Sequence, residues 1–159
     1  MIKGKFKHAH GVSLVEVLLA AVIVMVAALA AVGYRYSVAL DTRKAQEQMH
    51  AARLGVMLLE GWKGWAGRAD FAPEINYQTK LNISTATQGT AVASGFDMLN
   101  RYKIVSDGVT YHATLSSKDA TPTEPKMLNV QITWSQDRQN DTLSSKLNKS
   151  IRLTTYAGN

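Results

Sequence analysis

The chain has 159 residues, 46% of them hydrophobic and 19% charged, with three prolines, eleven glycines and no cysteine. That size and balance allow one domain with a real core and exclude wholesale disorder, while the missing cysteine removes disulfide frameworks, thiolate-bound metals and thiol nucleophiles. Eighteen Lys and Arg against twelve Asp and Glu give +6, but Lys3, Lys5 and Lys7 lie in the first eleven residues, so the other 148 carry only +3. That is an ordinary soluble surface and weakens a general nucleic-acid reading.

Residues 1–11 form a short, basic, polar stretch ending at Gly11. His8 and His10 have a His-x-His spacing that a metal could use, but no second ligand cluster lies near them. They read as a solvated tail, and no metal or cofactor is expected.

From Leu14 to Gly33 the sequence runs LVEVLLAAVIVMVAALAAVG, with Glu16 its only polar side chain. A helix of twenty residues covers about 30 Å, the hydrocarbon thickness of a bilayer. A soluble helix needs a polar face, and from Val17 to Val32 there is none. Only lipid or an assembly of helices can cover such a rod. The lysines before it hold the N-terminus in the cytoplasm, and the chain beyond Gly33 faces the periplasm or cell exterior.

Three accounts of this segment compete. A secretory signal peptide would be cut after Ala28-Leu29-Ala30. A plain uncleaved signal anchor has the right length but gives no reason to keep a carboxylate two residues inside the apolar run. The third account uses Gly11 and Glu16 together, through the string Val12-Ser13-Leu14-Val15-Glu16-Val17-Leu18-Leu19-Ala20 after Gly11.

That string resembles the cleavage and methylation site of type IV pilins and of the pseudopilins of type II secretion systems. Gly11, Ser13, Leu14, Val15 and Glu16 match the family pattern in register, whereas Val12 stands where Phe is usual. The resemblance covers about the first 40 residues. It implies that a prepilin peptidase cuts between Gly11 and Val12, that Val12 becomes N-methylated, and that Glu16 guides assembly by meeting the amine of a neighbouring subunit.

The chemistry of Glu16 points to a role independently of the family. A carboxylate at the centre of a membrane span costs about 2.5 to 3.5 kcal/mol by insertion scales, and less near an end, so it needs a partner or a role. A cut after Gly11 would create an amine on Val12 one helical turn away, at i and i+4. The plainer account is that Glu16 snorkels to the headgroups.

Beyond Gly33 the helix is expected to continue to Trp62 and to become amphipathic. Its core-facing stripe is read as Val38, Ala45, Met49, Ala52, Val56 and Leu59. Gly33 falls where the two halves meet, either as a point of bending or as a close helix contact. Gly61, Gly64 and Gly67 should end the helix, with Trp62 and Trp65 capping the core. Residues 63–98 read as a long surface connection with one strand-like run at Tyr77 to Ile83.

Period-two runs then predict strands at Asn100 to Val105, Val109 to Leu115, Leu128 to Trp134 and Ser150 to Tyr156, each with one apolar face. Asp107-Gly108 supplies a tight hairpin, while Pro122, Pro125 and the polar stretch Gln136 to Asn148 mark longer loops. The expected class is therefore α+β: a long N-terminal helix packed against a roughly four-stranded antiparallel sheet, which is also what the pilin resemblance implies. The organisation is a leader at 1–11, an apolar helix half at 12–33 and a globular part at 34–159, comprising an amphipathic helix at 34–62, the connection at 63–98 and the sheet at 99–159.

No nucleophile elbow, phosphate-binding loop, zinc motif or calcium loop is present, and His50 and His112 are scattered, so nothing points to catalysis. The leading function is a structural filament subunit, held as a single pass in the inner membrane, processed by prepilin peptidase and assembled by helix packing with other pilin or pseudopilin subunits. The missing cysteine excludes the C-terminal disulfide loop of many major pilins and favours a minor pilin or pseudopilin. A rival is a monomeric exported or membrane-anchored binding domain with an ordinary signal segment. A third reading, a competence minor pilin contributing to DNA uptake, requires Lys103, Lys118, Lys126, Lys146, Lys149 and Arg152 to share a face, and a solvated rim is the plainer account of those cations.

Overall fold

The computed structural model describes residues 13–78, 80–87, 89–119, 121, 125–135 and 147–157. The leader, with His8, His10, Gly11 and Val12, lies outside the described residues, as do Lys146 and most of the polar stretch after Trp134. Helix α1 (Leu14–Gly64) is followed by the short α2 (Pro73–Asn76) and by strands β1 (Asn82–Thr85), β2 (Asp97–Ser106), β3 (Val109–Lys118), β4 (Met127–Trp134) and β5 (Lys149–Tyr156). The class is α+β. The chain divides into two units between Arg43 and Lys44.

In the first unit the helix begins at Leu14, and every residue from Ser13 to Arg43 is exposed. The stretch after Ser13 mixes strong helix formers, Ala, Leu and Met, with β-branched Val and Ile, and it has no proline; as an apolar run it gains from the helix, which satisfies every backbone group within the segment.

In the second unit five strands form one antiparallel sheet in the order β1-β2-β3-β4-β5. The roughly four strands expected become five because Asn82–Thr85 pairs with β2. The strand-like run expected at Tyr77 to Ile83 meets this strand only at Asn82 and Ile83; the strand itself is four residues long, with Ile83 alone buried in it. Asp107 and Gly108 both have positive φ, 52° and 70°, and join β2 to β3 in the two-residue turn that the sequence indicates.

The inner face of the sheet packs on α1. Leu58, Trp62, Ile104, Leu115, Val130 and Ile132 are fully buried between them. A Cβ on Gly55 would stand 2.8 Å from Leu153 Cδ1, so the glycine lets helix and sheet approach closely.

The core-facing stripe of the helix is not the one expected. The buried residues are Glu47, Ala51, Leu54, Gly55, Leu58, Leu59 and Trp62, whereas Val38, Met49 and Val56 are 43%, 52% and 50% exposed. Only Leu59 belongs to both sets. This part of α1 is apolar on two sides, and periodicity alone cannot choose between them. The larger side chains, Leu58 and Trp62, go under the sheet, and they bring the carboxylate-bearing Glu47 onto the buried face.

The end of α1 also differs in detail. Ala66 and Gly67 have φ of 54° and 66°, and the Gly67 N–H donates to the Trp62 carbonyl at 3.0 Å, closing the helix in a left-handed cap. Trp62 is buried, stacks on Phe71 at 6.4 Å and donates its Nε1–H to the Arg68 carbonyl at 2.9 Å. Trp65, expected to cap the core beside it, is 44% exposed.

The second face of the sheet is polar in sequence, yet Thr114, Ser116, Asn129, Gln131 and Thr133 are buried there. Most of this polarity is met laterally, while the Thr114 hydroxyl has no hydrogen-bond partner among the described residues. Asn129 donates to Ser116 Oγ at 3.0 Å, Thr154 donates to Asn129 Oδ1 at 3.1 Å, and Arg152 donates to Gln131 Oε1 at 3.2 Å. The backbone at Gly89 lies against Thr114 and Arg101, where a Cβ would meet both within 3 Å.

Candidate functional site: the N-terminal apolar helix

The first turn of α1 is organised by Ser13. Its carbonyl accepts the N–H groups of Glu16 at 2.9 Å and Val17 at 3.2 Å, and its hydroxyl accepts the N–H of Val15 at 3.2 Å. This is the geometry of a helix N-cap, in which a short polar side chain satisfies a backbone donor that the helix leaves without a partner.

Glu16 follows at the third helical position. Its side chain is exposed, and among the described residues no hydrogen bond or ion pair engages it. Its negative charge is favourable near the positive end of the helix dipole. Gly11 and Val12, the expected processing residues, lie outside the described residues.

Between Leu14 and Val32 twelve large aliphatic side chains are 57% or more exposed. Burying such side chains is worth about 1.5 to 3 kcal/mol each, so leaving them all in water would forgo more than the whole stability of an ordinary domain, about 5 to 15 kcal/mol. The helix is long and apolar enough to cross a membrane. Gly33 lies within it and has no atom within 4 Å of the position a Cβ would take, so no contact among the described residues requires a glycine there.

A second exposed apolar strip lies in the other unit. Ala45, Met49, Ala52 and Val56 recur at steps of four, three and four along one side of α1, turned away from the residues under the sheet, and all but the half-exposed Ala52 are exposed.

Of the expected basic residues, Lys103, Lys118 and Arg152 lie on the second face by register, but spread along it. In the register of the sheet Arg101, Thr114, Gln131 and Arg152 form one row across the second face, so the two arginines are three strands, about 14 Å, apart. Lys103 lies in the adjacent row and Lys118 at the far end of β3, while Lys149 pairs with Trp134 in register and so belongs to the opposite face. Lys126 is paired with Asp119 at 3.3 Å.

His50 approaches Asp107 at 3.6 Å beside the β2–β3 turn, and among the described residues no three His, Asp or Glu side chains gather as metal ligands.

The capping role of Ser13 goes beyond the sequence reading, in which the residue is only one member of a motif. A signal for it exists in the sequence, since Ser13-x-x-Glu16 has the spacing of a capping box.

The fold and the site together define an α+β domain carried on an apolar N-terminal helix of membrane-spanning length. No protein-family model, curated protein or solved structure matches the chain.

Proposed function

We propose that the chain is a structural subunit of a type IV pilus or a type II secretion pseudopilus, stored in the inner membrane with its sheet domain on the outer side. A prepilin peptidase removes the leader between Gly11 and Val12, Val12 is N-methylated, and the helix moves from lipid into a filament of similar subunits. The observation that carries this reading is the helix from Leu14 to Gly33, apolar on every side and wholly exposed, with a single carboxylate in its first turn. Lipid and packed helices are the two environments that cover such a surface, and a filament subunit uses both in turn.

Two further features support the reading. Glu16 has no partner among the described residues, which leaves it for the amine of a neighbour. The strip at Ala45, Met49, Ala52 and Val56 gives the domain an exposed apolar side of its own, which an adjoining subunit would cover. The subunit has no catalytic role, and the lack of cysteine favours a minor pilin or pseudopilin over a major pilin.

Recovery of the chain in the sheared-filament fraction, together with cross-links between its helix and those of other subunits, tests this assignment. A chain found only as a soluble exported monomer would contradict it and favour the exported binding domain.

A further inference from the structure

We infer that Tyr34, Arg35 and Tyr36 form the girdle at which α1 leaves the membrane, the two phenol rings lying at the glycerol level of the outer leaflet and the Arg35 guanidinium on its lipid phosphates. The inference rests on the membrane-stored state proposed above and adds a binding surface to it. It uses no step of processing or assembly.

The girdle begins where the apolar run stops. Tyr34 follows Gly33 directly and is 73% exposed, Tyr36 is 68% exposed, and Arg35 is exposed between them. Successive helical residues turn by about 100°, so the two rings stand about 200° apart with the guanidinium between them. The three side chains therefore spread around the rod. A flat protein partner covers one side of a helix, whereas a membrane interface surrounds it. Tyrosine, with an apolar ring and a polar tip, suits that layer. Arginine can lay its aliphatic stem along the rod and present its planar fork to phosphate.

Interactions within the chain set this turn apart from the next charged one. Asp41, Arg43 and Lys44 are each engaged by the chain itself. Among the described residues no hydrogen bond or ion pair engages Tyr34, Arg35 or Tyr36.

The dimensions agree. With residues 14–33 filling about 30 Å of hydrocarbon, the headgroup layer on each side is about 5 to 7 Å deep. Residues 34–36 lie about 1.5 to 4.5 Å beyond Gly33 along the axis, inside that layer, and Asp41 lies about 12 Å beyond, past it. Packed helices are a poorer cover for this turn, because they would bury the Arg35 charge for which the described chain supplies no partner.

The test uses the full chain in vesicles of phosphatidylethanolamine and phosphatidylglycerol. The chain has no cysteine, so single variants Val24→Cys, Val32→Cys, Ser37→Cys and Leu40→Cys each carry one nitroxide, whose relaxation by oxygen or by a water-soluble nickel chelate reports depth. Oxygen should dominate at positions 24 and 32 and the chelate at 40, with the crossover at 34–36. Replacing both rings, Tyr34→Ala with Tyr36→Ala, should move the crossover towards Leu40 by about one helical turn, as Val38 and Leu40 sink to replace them. Arg35→Leu should move it the same way, and Tyr34→Trp with Tyr36→Trp should leave it in place. A wild-type crossover elsewhere, or one that the alanine pair leaves unmoved, would overturn the inference. So would labels at 32 and 37 shielded from both relaxants and broadened as the protein-to-lipid ratio rises, which would show that other copies of the helix cover this turn. Access of the chelate to position 24 would instead refute the membrane-stored state beneath it.

Discussion

Gly61 lies against the hydroxyl of Tyr77 so closely that any Cβ on the glycine would overlap it, with the Phe71 ring 3.5 Å away. The glycine sits inside α1, where it costs about 1 kcal/mol relative to alanine, and the half-buried Tyr77 hydroxyl occupies the space that a Cβ would need. Gly61→Ala should therefore destabilise the domain by about 1 to 3 kcal/mol, since overpacking outweighs the gain in propensity. Gly33→Ala should leave the melting of the same domain unchanged, because nothing surrounds that position. A rise in melting temperature for Gly61→Ala would contradict this packing.

The two apolar sides of α1 can be told apart by truncation of one residue on each. Leu58 is fully buried under the sheet and Val56 is half exposed. Leu58→Ala should cost about 2 to 5 kcal/mol in denaturant unfolding, whereas Val56→Ala should stay within about 0.5 kcal/mol. Equal costs would place both residues in the core. A loss of filament incorporation in Val56→Ala with unchanged stability would identify the exposed side as the assembly surface.

Alkaline pH should weaken the domain through its buried tyrosines. Burial, and then the negative charge of Glu74, push the Tyr102 hydroxyl up to about 12, while the hydrogen bond from Asn100 acts the other way. Burial and the charges of Glu47 and Asp107 raise Tyr111 in the same direction. An unfolded tyrosine ionises near 10.0, so the contribution of Tyr102 is fully present below that pH. It is lost as the pH rises towards about 12, because unfolding then releases a proton that the folded state holds. The loss attributable to Tyr102 approaches about 1.4 kcal/mol per pH unit in that window. Tyr102→Phe should flatten the fall in unfolding free energy, and an unchanged slope would show that Tyr102 is not its source.

Glu16→Ala separates pairing from snorkelling. If the carboxylate only reaches the headgroups, its removal lowers an insertion cost and leaves assembly intact. If it pairs with the Val12 amine of a neighbour, the substitution strands that amine among packed helices. The expected outcome is normal cleavage and insertion with impaired incorporation, Glu16→Gln being intermediate because an amide accepts a hydrogen bond without supplying charge. Cross-linking to adjacent subunits or recovery in sheared filaments measures it, and wild-type incorporation of the alanine variant would reject the pairing.

The fold is legible in the sequence where one signal dominates. Leu128, Val130, Ile132 and Trp134 alternate with polar residues and are all buried, and Asp107-Gly108 makes the turn its composition indicates. The rest depends on competition that a single sequence does not resolve. Met49 and Val56 are as apolar and as regularly spaced as Leu54 and Leu58, and the sheet takes the latter side because it accommodates Trp62 there. Asn82–Thr85 becomes a strand only because β2 offers it an edge. At the candidate site the apolar run and Glu16 are plain from residue types, whereas the cap at Ser13 is signalled only by the spacing to Glu16 and becomes definite in the hydrogen bonds of the first turn.

Whether this chain is a processed filament subunit or a signal-bearing monomer is read most directly from the N-terminus of the membrane-extracted protein. Intact mass and terminal sequencing should give a chain beginning at Val12 and carrying one added methyl group on its amine. A chain beginning near Ala31, or one retaining Met1, would contradict the filament assignment.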